Sequence, residues 1–333
     1  MIITRSPLRI CLAGGGTDLE SFYKKYTSTF ISAAINSYVY VTINKPFINQ
    51  YILKYSKNES TKSVGLIKHD LFREILKKFG KKNDFIEIST TADVPYGTGL
   101  GSSGAFSNCL IKALSTHNRN KLNSDEIAEN SFFIETKILK EIAGKQDPYI
   151  SSFGGISKFI INRKGKVTSK RLNISSNNLN RLNDNLLLFF TGFSRSSTKI
   201  LKNQEIKTKK DNKKLVENLK KTLSEVNQIE KYIINGNLDD YGELMKEHWI
   251  RKKKRSNFMT NDYIDNIYDY AIKNGAIGGK LVGAGGGGFL LFYSDNPETL
   301  RFAMRQKKMT ELRFSFDFEG TKNLFVKSWK QIQ

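Results

Sequence analysis

Apolar and polar positions alternate with a period of two over residues 2–13, 29–35, 38–44, 51–55 and 85–91, which predicts five strands early in the chain. A helical period then sets in near Ser102 and again after Asn123. Asn123 and Glu126 have capping-box spacing, and Ile127, Phe132, Phe133, Ile134 and Ile138 supply the apolar face of the second helix. The segment RKGK from Arg163 reads as a hairpin turn between strands over 156–162 and 167–173, and the polar stretch NISSNNLNRLNDN, 173–185, reads as a boundary. Beyond it lie a strand over 186–191, Lys-rich helical patterns over about 199–235, 238–251 and 261–273, strands over 279–282 and 289–294, a helix from Pro297, and closing strands. The pattern predicts an α+β chain in two domains, 1–180 and 181–333, with no internal repeat.

Composition narrows the class. With 333 residues, 39% of them hydrophobic, the chain has material for two packed domains. Its longest apolar runs, such as 185–190 and 289–293, fall far short of the roughly 20 residues a membrane-spanning helix needs, and Arg5 and Arg9 interrupt any signal-like core. A cytoplasmic protein without membrane insertion is expected. Cys11 and Cys109 lack C-x-x-C spacing and read as buried thiols; His69, His117 and His248 share no metal-ligand spacing. The net charge of +22 raises nucleic acid as a partner, but the lysines are dispersed, and small phosphorylated ligands fit the charge better. The densest basic run, RKKKR at 251–255, reads equally as a solvated helix end or a phosphate-steering element.

The segment DVPYGTGLGSSGAFSNCLIKAL, 93–114, carries the chemistry. Alternate glycines bring backbone close to a ligand, and the helix that follows points free N–H groups at an anion. A P-loop is excluded, since no Lys and Ser/Thr follow the last glycine. Gly99, Gly101 and Gly104 spell a dinucleotide fingerprint, but Asp125 and Glu126 fall at a helix start rather than at a strand end. Ser102 and Ser103 instead offer amides to phosphate and a hydroxyl to magnesium. Magnesium calls for carboxylates, and two lie downstream: Glu135 on its helix, and Asp147 in GKQDPY, expected in a loop fixed by Gly144 and Pro148.

Three stretches together carry a resemblance: SPLRICLAGGGTDL (6–19), VPYGTGLGSSGA (94–105) and KLVGAGGGGFLLF (280–292). They resemble the three ordered motifs of the GHMP kinase superfamily, and the match spans nearly the whole chain. Within that group, GGGTDL, GKQDPY and GGKLVGAGGGGF are most similar to the D-glycero-D-manno-heptose 7-phosphate kinases. The fold so implied is an N-terminal domain like ribosomal protein S5 domain 2 and a ferredoxin-like C-terminal domain.

The resemblance implies ATP and Mg2+ as cofactors, with the phosphates on Gly97, Gly99, Leu100, Gly101, Ser102 and Ser103, and the metal on Ser103 and Glu135. It makes Asp147 the catalytic aspartate, accepting the sugar hydroxyl proton, with Arg9 beside it. Asp18, with Thr17 and Gly16, would meet the sugar, and Gly285 and Gly286 would close over it. The implied acceptor is a sugar phosphate whose 1,7-bisphosphate product feeds nucleotide-heptose and surface polysaccharide synthesis. For the acceptor's own phosphate, Arg195 in TGFSRSSTKIL is the first candidate, with Arg251 and Lys252 as rivals. Gly104 stands where many members carry Ala, and GGG replaces the Glu-His pair of galactokinases. A homo-oligomer is possible. A fucose-type sugar kinase, a non-catalytic regulator on the same fold and an RNA-binding protein are the alternatives.

Overall fold

A computed structural model describes residues 1–194 and 198–327. The first sheet is built from β1 (Ile2–Ala13), β2 (Ser28–Asn44), β3 (Tyr51–Lys54), β4 (Asn58–Thr61), β5 (Glu87–Ala92), β6 (Ile156–Ile161) and β7 (Val167–Arg171). β8 (Leu186–Phe190), β9 (Gly278–Leu281), β10 (Phe289–Tyr293) and β11 (Thr310–Glu311) form a second, antiparallel sheet in the order β11-β8-β10-β9. The closing strand β12 (Lys322–Val326) crosses back to pair with β1, so the first sheet runs β12-β1-β2-β5-β3-β4. We keep the division at 180/181 as a proposal, noting that β12 crosses it.

β2 is the spine of the first sheet. The two strands expected at 29–35 and 38–44 are one continuous strand, whose first half pairs with β6 and whose second half pairs with β5. Its register against β1 shifts between Pro7 and Leu8 and again between Cys11 and Ala13; Pro7 has no N–H to give the ladder.

The helices are α1 (Glu20–Tyr26), α2 (Asp70–Phe79), α3 (Ser102–His117), α4 (Ser124–Phe133), α5 (Gln146–Phe153), α6 (Ser176–Asn185), α7 (Thr198–Lys209), α8 (Lys213–Ser224), α9 (Val226–Asn235), α10 (Leu238–Lys253), α11 (Asp262–Lys273) and α12 (Pro297–Gln306). The capping box forms on α4: Asn123 accepts from the Glu126 amide at 2.9 Å, and Glu126 accepts in return from the Asn123 amide at 2.8 Å. Beyond Phe133 the chain widens into a π-helical turn, Ile134–Ile138. The polar stretch read as a boundary is α6, capped by Ser175 and anchored by the buried Leu182. Polar composition hid it, because Leu182 and the partly buried Leu179 are its apolar anchor.

α3 packs on the first sheet through Cys109, Leu110, Ile111, Ala113 and Leu114, against Val41, Ile43 and Leu53. Both cysteines are free and buried, as expected. Another core cluster joins the sheets: Leu8, Ile10, Leu12, Ile31 and Ile35 of the first lie with Leu186, Leu188, Phe289, Leu291 and Tyr293 of the second. Burying roughly 1.5–3 kcal/mol worth of apolar side chain at each such position ties the halves together. The cleft at one end of this shared core is held in place by the core itself.

Candidate active site

Gly97, Gly99 and Gly101 all have positive φ, 81°, 84° and 78°, a region other residues enter only under strain. Gly101 is the left-handed N-cap of α3, and no side chain caps the helix, so the amides of Ser102 and Ser103 face the cleft. A second glycine turn, between β9 and β10, meets the first. A Cβ on Gly283 would fall 2.7 Å from the Gly99 carbonyl oxygen, and one on Gly288 would fall 2.1 Å from that of Thr98.

Arg9 comes off β1 into this loop. Its Nε donates to Asp147 Oδ1 at 2.8 Å, its Nη2 lies 2.7 Å from the same oxygen, and its Nη1 donates to the Gly99 carbonyl. Asp147 sits in the first turn of α5 rather than in the expected loop, because Pro148 occupies an early helical position where its missing N–H is harmless. Gly104 lets α5 approach: a Cβ there would lie 2.9 Å from Pro148 N and 3.0 Å from Asp147 Cβ. The absent methyl, a minor departure by sequence, is what lets the catalytic candidate sit against the phosphate loop.

Glu135, on the π-helical turn, accepts a hydrogen bond from Ser103 Oγ and is buried. Burial raises its carboxyl to about 7, and the charges of Asp147 and Glu141 push the same way, while the Ser103 hydroxyl opposes them. A buried carboxylate with a hydroxyl on it and no cation partner among the described residues suits a divalent ion. Among the described residues no group of three or more His, Cys, Asp or Glu forms a metal cage.

Asp18 is buried and accepts from the Gln146 amide at 3.1 Å; burial raises its carboxyl above the usual range. Gly144 makes room for it, since a Cβ there would overlap Asp18 Oδ2. Gly16 and Gly285 line the same cleft. Four expected ligand residues lie outside the lining: Glu135, which reaches it through Ser103, and three that are bound up in the loops. Thr17 is fully buried and spends its hydroxyl on the Gly14 carbonyl and Ser28 Oγ; Leu100 is buried with its carbonyl accepting from the Arg9 amide; Gly286 is tied through its amide to Met259. Their contribution is to hold the loops. Arg195 lies outside the described residues, and Arg251 turns away to a buried partner, Glu225.

Sequence reasoning assigned no ligand role to His248, Gln204 or Lys280 and took Arg255 only as part of RKKKR; all four line the cleft. Lys280 immediately precedes the second glycine motif, a position that was open to notice. The other three come from parts of the chain remote from the motifs, Gln204 and His248 on helices and Arg255 just past one, and only packing brings them together.

Comparison with known proteins bears on these residues as a set. Models of the GHMP kinases N terminal domain and GHMP kinases C terminal match residues 66–155 and 229–310. The chain is 31% identical to the D-glycero-alpha-D-manno-heptose 7-phosphate kinase of Campylobacter jejuni, over 99% of each. It is 25% identical to the L-fucokinase/L-fucose-1-P guanylyltransferase of Bacteroides fragilis, over 92% of this chain and 35% of that protein. Its fold matches the crystal structure of a D-glycero-D-manno-heptose 1-phosphate kinase from Bacteroides thetaiotaomicron with a TM-score of 0.82 at 22% identity, over 98% and 100% of the two chains. A sugar kinase structure from Campylobacter jejuni matches at 0.74 and 29%, over 98% of each. No helix among the described residues is long and apolar enough to cross a membrane. Two family models in order, an end-to-end relative and a shared fold establish that the chain belongs to the GHMP kinases, as an ATP-dependent sugar kinase.

Proposed function

We propose that this kinase transfers the γ-phosphoryl group of ATP to the anomeric hydroxyl of a heptose 7-phosphate, giving the 1,7-bisphosphate. The observation that carries the chemistry is the Asp147–Arg9 pair set against the Gly101 end of the phosphate loop; the choice of acceptor rests on the end-to-end relative.

In this reading the Ser102 and Ser103 amides at the start of α3 bind the phosphates. Both Arg9 contacts fall on Asp147 Oδ1, which leaves Oδ2 to take the proton of the attacking hydroxyl. Arg9, anchored also to Gly99, holds the carboxylate in place and lends charge to the group in transfer. Ser103 and Glu135 would hold magnesium, which supplies positive charge to the phosphate oxygens when bound. Asp18, fixed by the Gln146 amide, would accept from a sugar hydroxyl.

The test is phosphorus NMR of the protein with Mg-ATP and, in separate tubes, heptose 7-phosphate, mannose, fucose and galactose. A new anomeric phosphate signal with heptose 7-phosphate alone is expected. A signal only with an unphosphorylated sugar would discard the heptose assignment and keep the kinase.

A further inference from the structure

The cleft that Asp147 and Arg9 line also carries three buried cations, Lys252, Arg255 and Lys280. Lys252 lies in the last turn of α10, Arg255 just beyond it, and Lys280 in β9. None of the three has a carboxylate within ion-pair distance among the described residues. Their partners are neutral. Lys252 donates to the Leu281 and Gly283 carbonyls, each at 2.8 Å, and Lys280 to the Leu12 carbonyl at 2.9 Å. Arg255 donates to Asn218 Oδ1 at 2.8 Å, to the Gly15 carbonyl at 2.9 Å and to Thr222 Oγ1 at 2.6 Å. An ammonium has three N–H donors and a guanidinium five, so every member keeps donors that the protein does not engage.

Burying one unpaired cation is expensive, and burying three side by side adds mutual repulsion. Burial, reinforced by its basic neighbours, pushes Lys252 down to about 7 and Arg255 down to about 10, and it lowers Lys280 in the same direction. Buried His248 is held neutral by that same burial and by the surrounding positive charge. Carbonyl partners fix these side chains in position without cancelling their charge. An anion entering such an arrangement would relieve the repulsion and stabilise the charged forms.

ATP does not need this charge, since its phosphates have the loop amides, Arg9 and the metal-holding pair. Two of the cluster's members are fastened instead to the acceptor side: Lys280 holds Leu12 and Arg255 holds Gly15, in the run that leads to Gly16 and Asp18, while Lys252 holds the Gly283 turn that meets the phosphate loop. A Cβ on Gly16 would lie 2.9 Å from Arg255 Nη1, so the guanidinium reaches the floor on which the sugar would rest. A phosphate monoester carries about −1.5 to −2 charge at neutral pH, enough to offset most of the cluster.

We propose that Lys252, Arg255 and Lys280 are the seat of the phosphate that the acceptor sugar itself brings into the cleft. The inference rests on the sugar-phosphate reading given above. It makes this seat the element that distinguishes a phosphorylated sugar from a free one. The run RKKKR therefore divides its work: Arg251 pairs with Glu225, Lys253 pairs with Asp265, Lys254 faces solvent, and Lys252 and Arg255 turn inward.

The experiment uses inorganic phosphate as the probe, at constant ionic strength because the chain is so basic. With the phosphate loop filled by magnesium and a non-hydrolysable ATP analogue, inorganic phosphate is expected to raise the thermal midpoint of the wild type. The rise should persist in Lys254→Ala and vanish in Lys252→Met and Lys280→Met. In kinetics those two variants should raise the KM for heptose 7-phosphate about 10- to 100-fold, as loss of a charge-assisted bond predicts, with the KM for ATP within about two-fold. Should either variant fail to fold, the wild type still decides: inorganic phosphate must compete with the sugar phosphate and not with ATP. Stabilisation that survives in both Met variants, or phosphate that fails to compete with the acceptor, overturns the seat. The two readings fail separately. If phosphate binds as described and heptose 7-phosphate is not a substrate, the acceptor assignment falls and the seat stands; if heptose 7-phosphate is phosphorylated and phosphate neither stabilises nor competes, the reverse holds.

Discussion

At the scale of single residues, Asp147 and Glu135 differ because their neighbours differ. Asp147 has a guanidinium against it, while Glu135 has only a hydroxyl and a low-polarity surround. Asp147→Asn should lower kcat by about 10²–10⁴-fold, the usual worth of a positioned base, with ATP affinity nearly unchanged in a nucleotide titration. Turnover near the wild-type rate would remove the base role. Glu135 makes a prediction about stability. Its folded pKa of about 7 lies above the unfolded value of 4.5, so the native state holds the proton longer. Native stability from this group is therefore full below about pH 4.5 and falls as pH rises toward 7. Glu135→Gln should abolish that slope and lead the wild type by about 3 kcal/mol at pH 8 in urea unfolding without metal, while needing far more magnesium for turnover. Equal slopes in the two proteins would refute the assignment of this proton to Glu135.

At the scale of elements, the site is made by close approach of turns. Gly283 has φ of 72° and almost touches Gly99, so Gly283→Ala must part the two glycine turns or strain both. We expect kcat to fall and the KM for ATP to rise together, with loss of about 1–3 kcal/mol of stability in thermal unfolding; normal kinetics would show that the turns need not touch. This is also the scale at which the sequence was most legible. A turn that requires positive φ writes its requirement as glycine, and a capping box writes itself as Asn123 and Glu126, so the phosphate loop and α4 were readable. What depends on partners far along the chain was not. α6 looks like a linker until Leu182 is seen in the core, and the helical pattern expected over 199–235 is α7, α8 and α9, broken around Asp211 and Glu225. The sequence left RKKKR open between a solvated helix end and a phosphate-steering element; the carbonyls of Leu281, Gly283 and Gly15 are what draw Lys252 and Arg255 inward. Thr17, expected against the sugar, is pulled away by Gly14 and Ser28, partners that motif matching does not weigh.

At the scale of the molecule, the two sheets share one core, and β12 binds the end of the chain to its beginning. Asn323 accepts from Thr4 Oγ1 at 3.0 Å and donates to Thr116 Oγ1 at 2.9 Å, so this strand also touches α3, whose N-terminus forms the phosphate site. A chain ended at Gly320 should keep its secondary structure by circular dichroism and lose about 3–6 °C of thermal midpoint, with weaker ATP binding; an unchanged midpoint would show β12 to be ornamental. The same strand has a bearing on biosynthesis. While the nascent chain emerges, β1 can meet β2 early, but its other edge waits for β12, far later in the sequence. Until the ribosome has delivered residue 326, that edge is open to the strands of neighbouring chains, so crowding on polysomes and chaperone supply would govern the yield of this kinase.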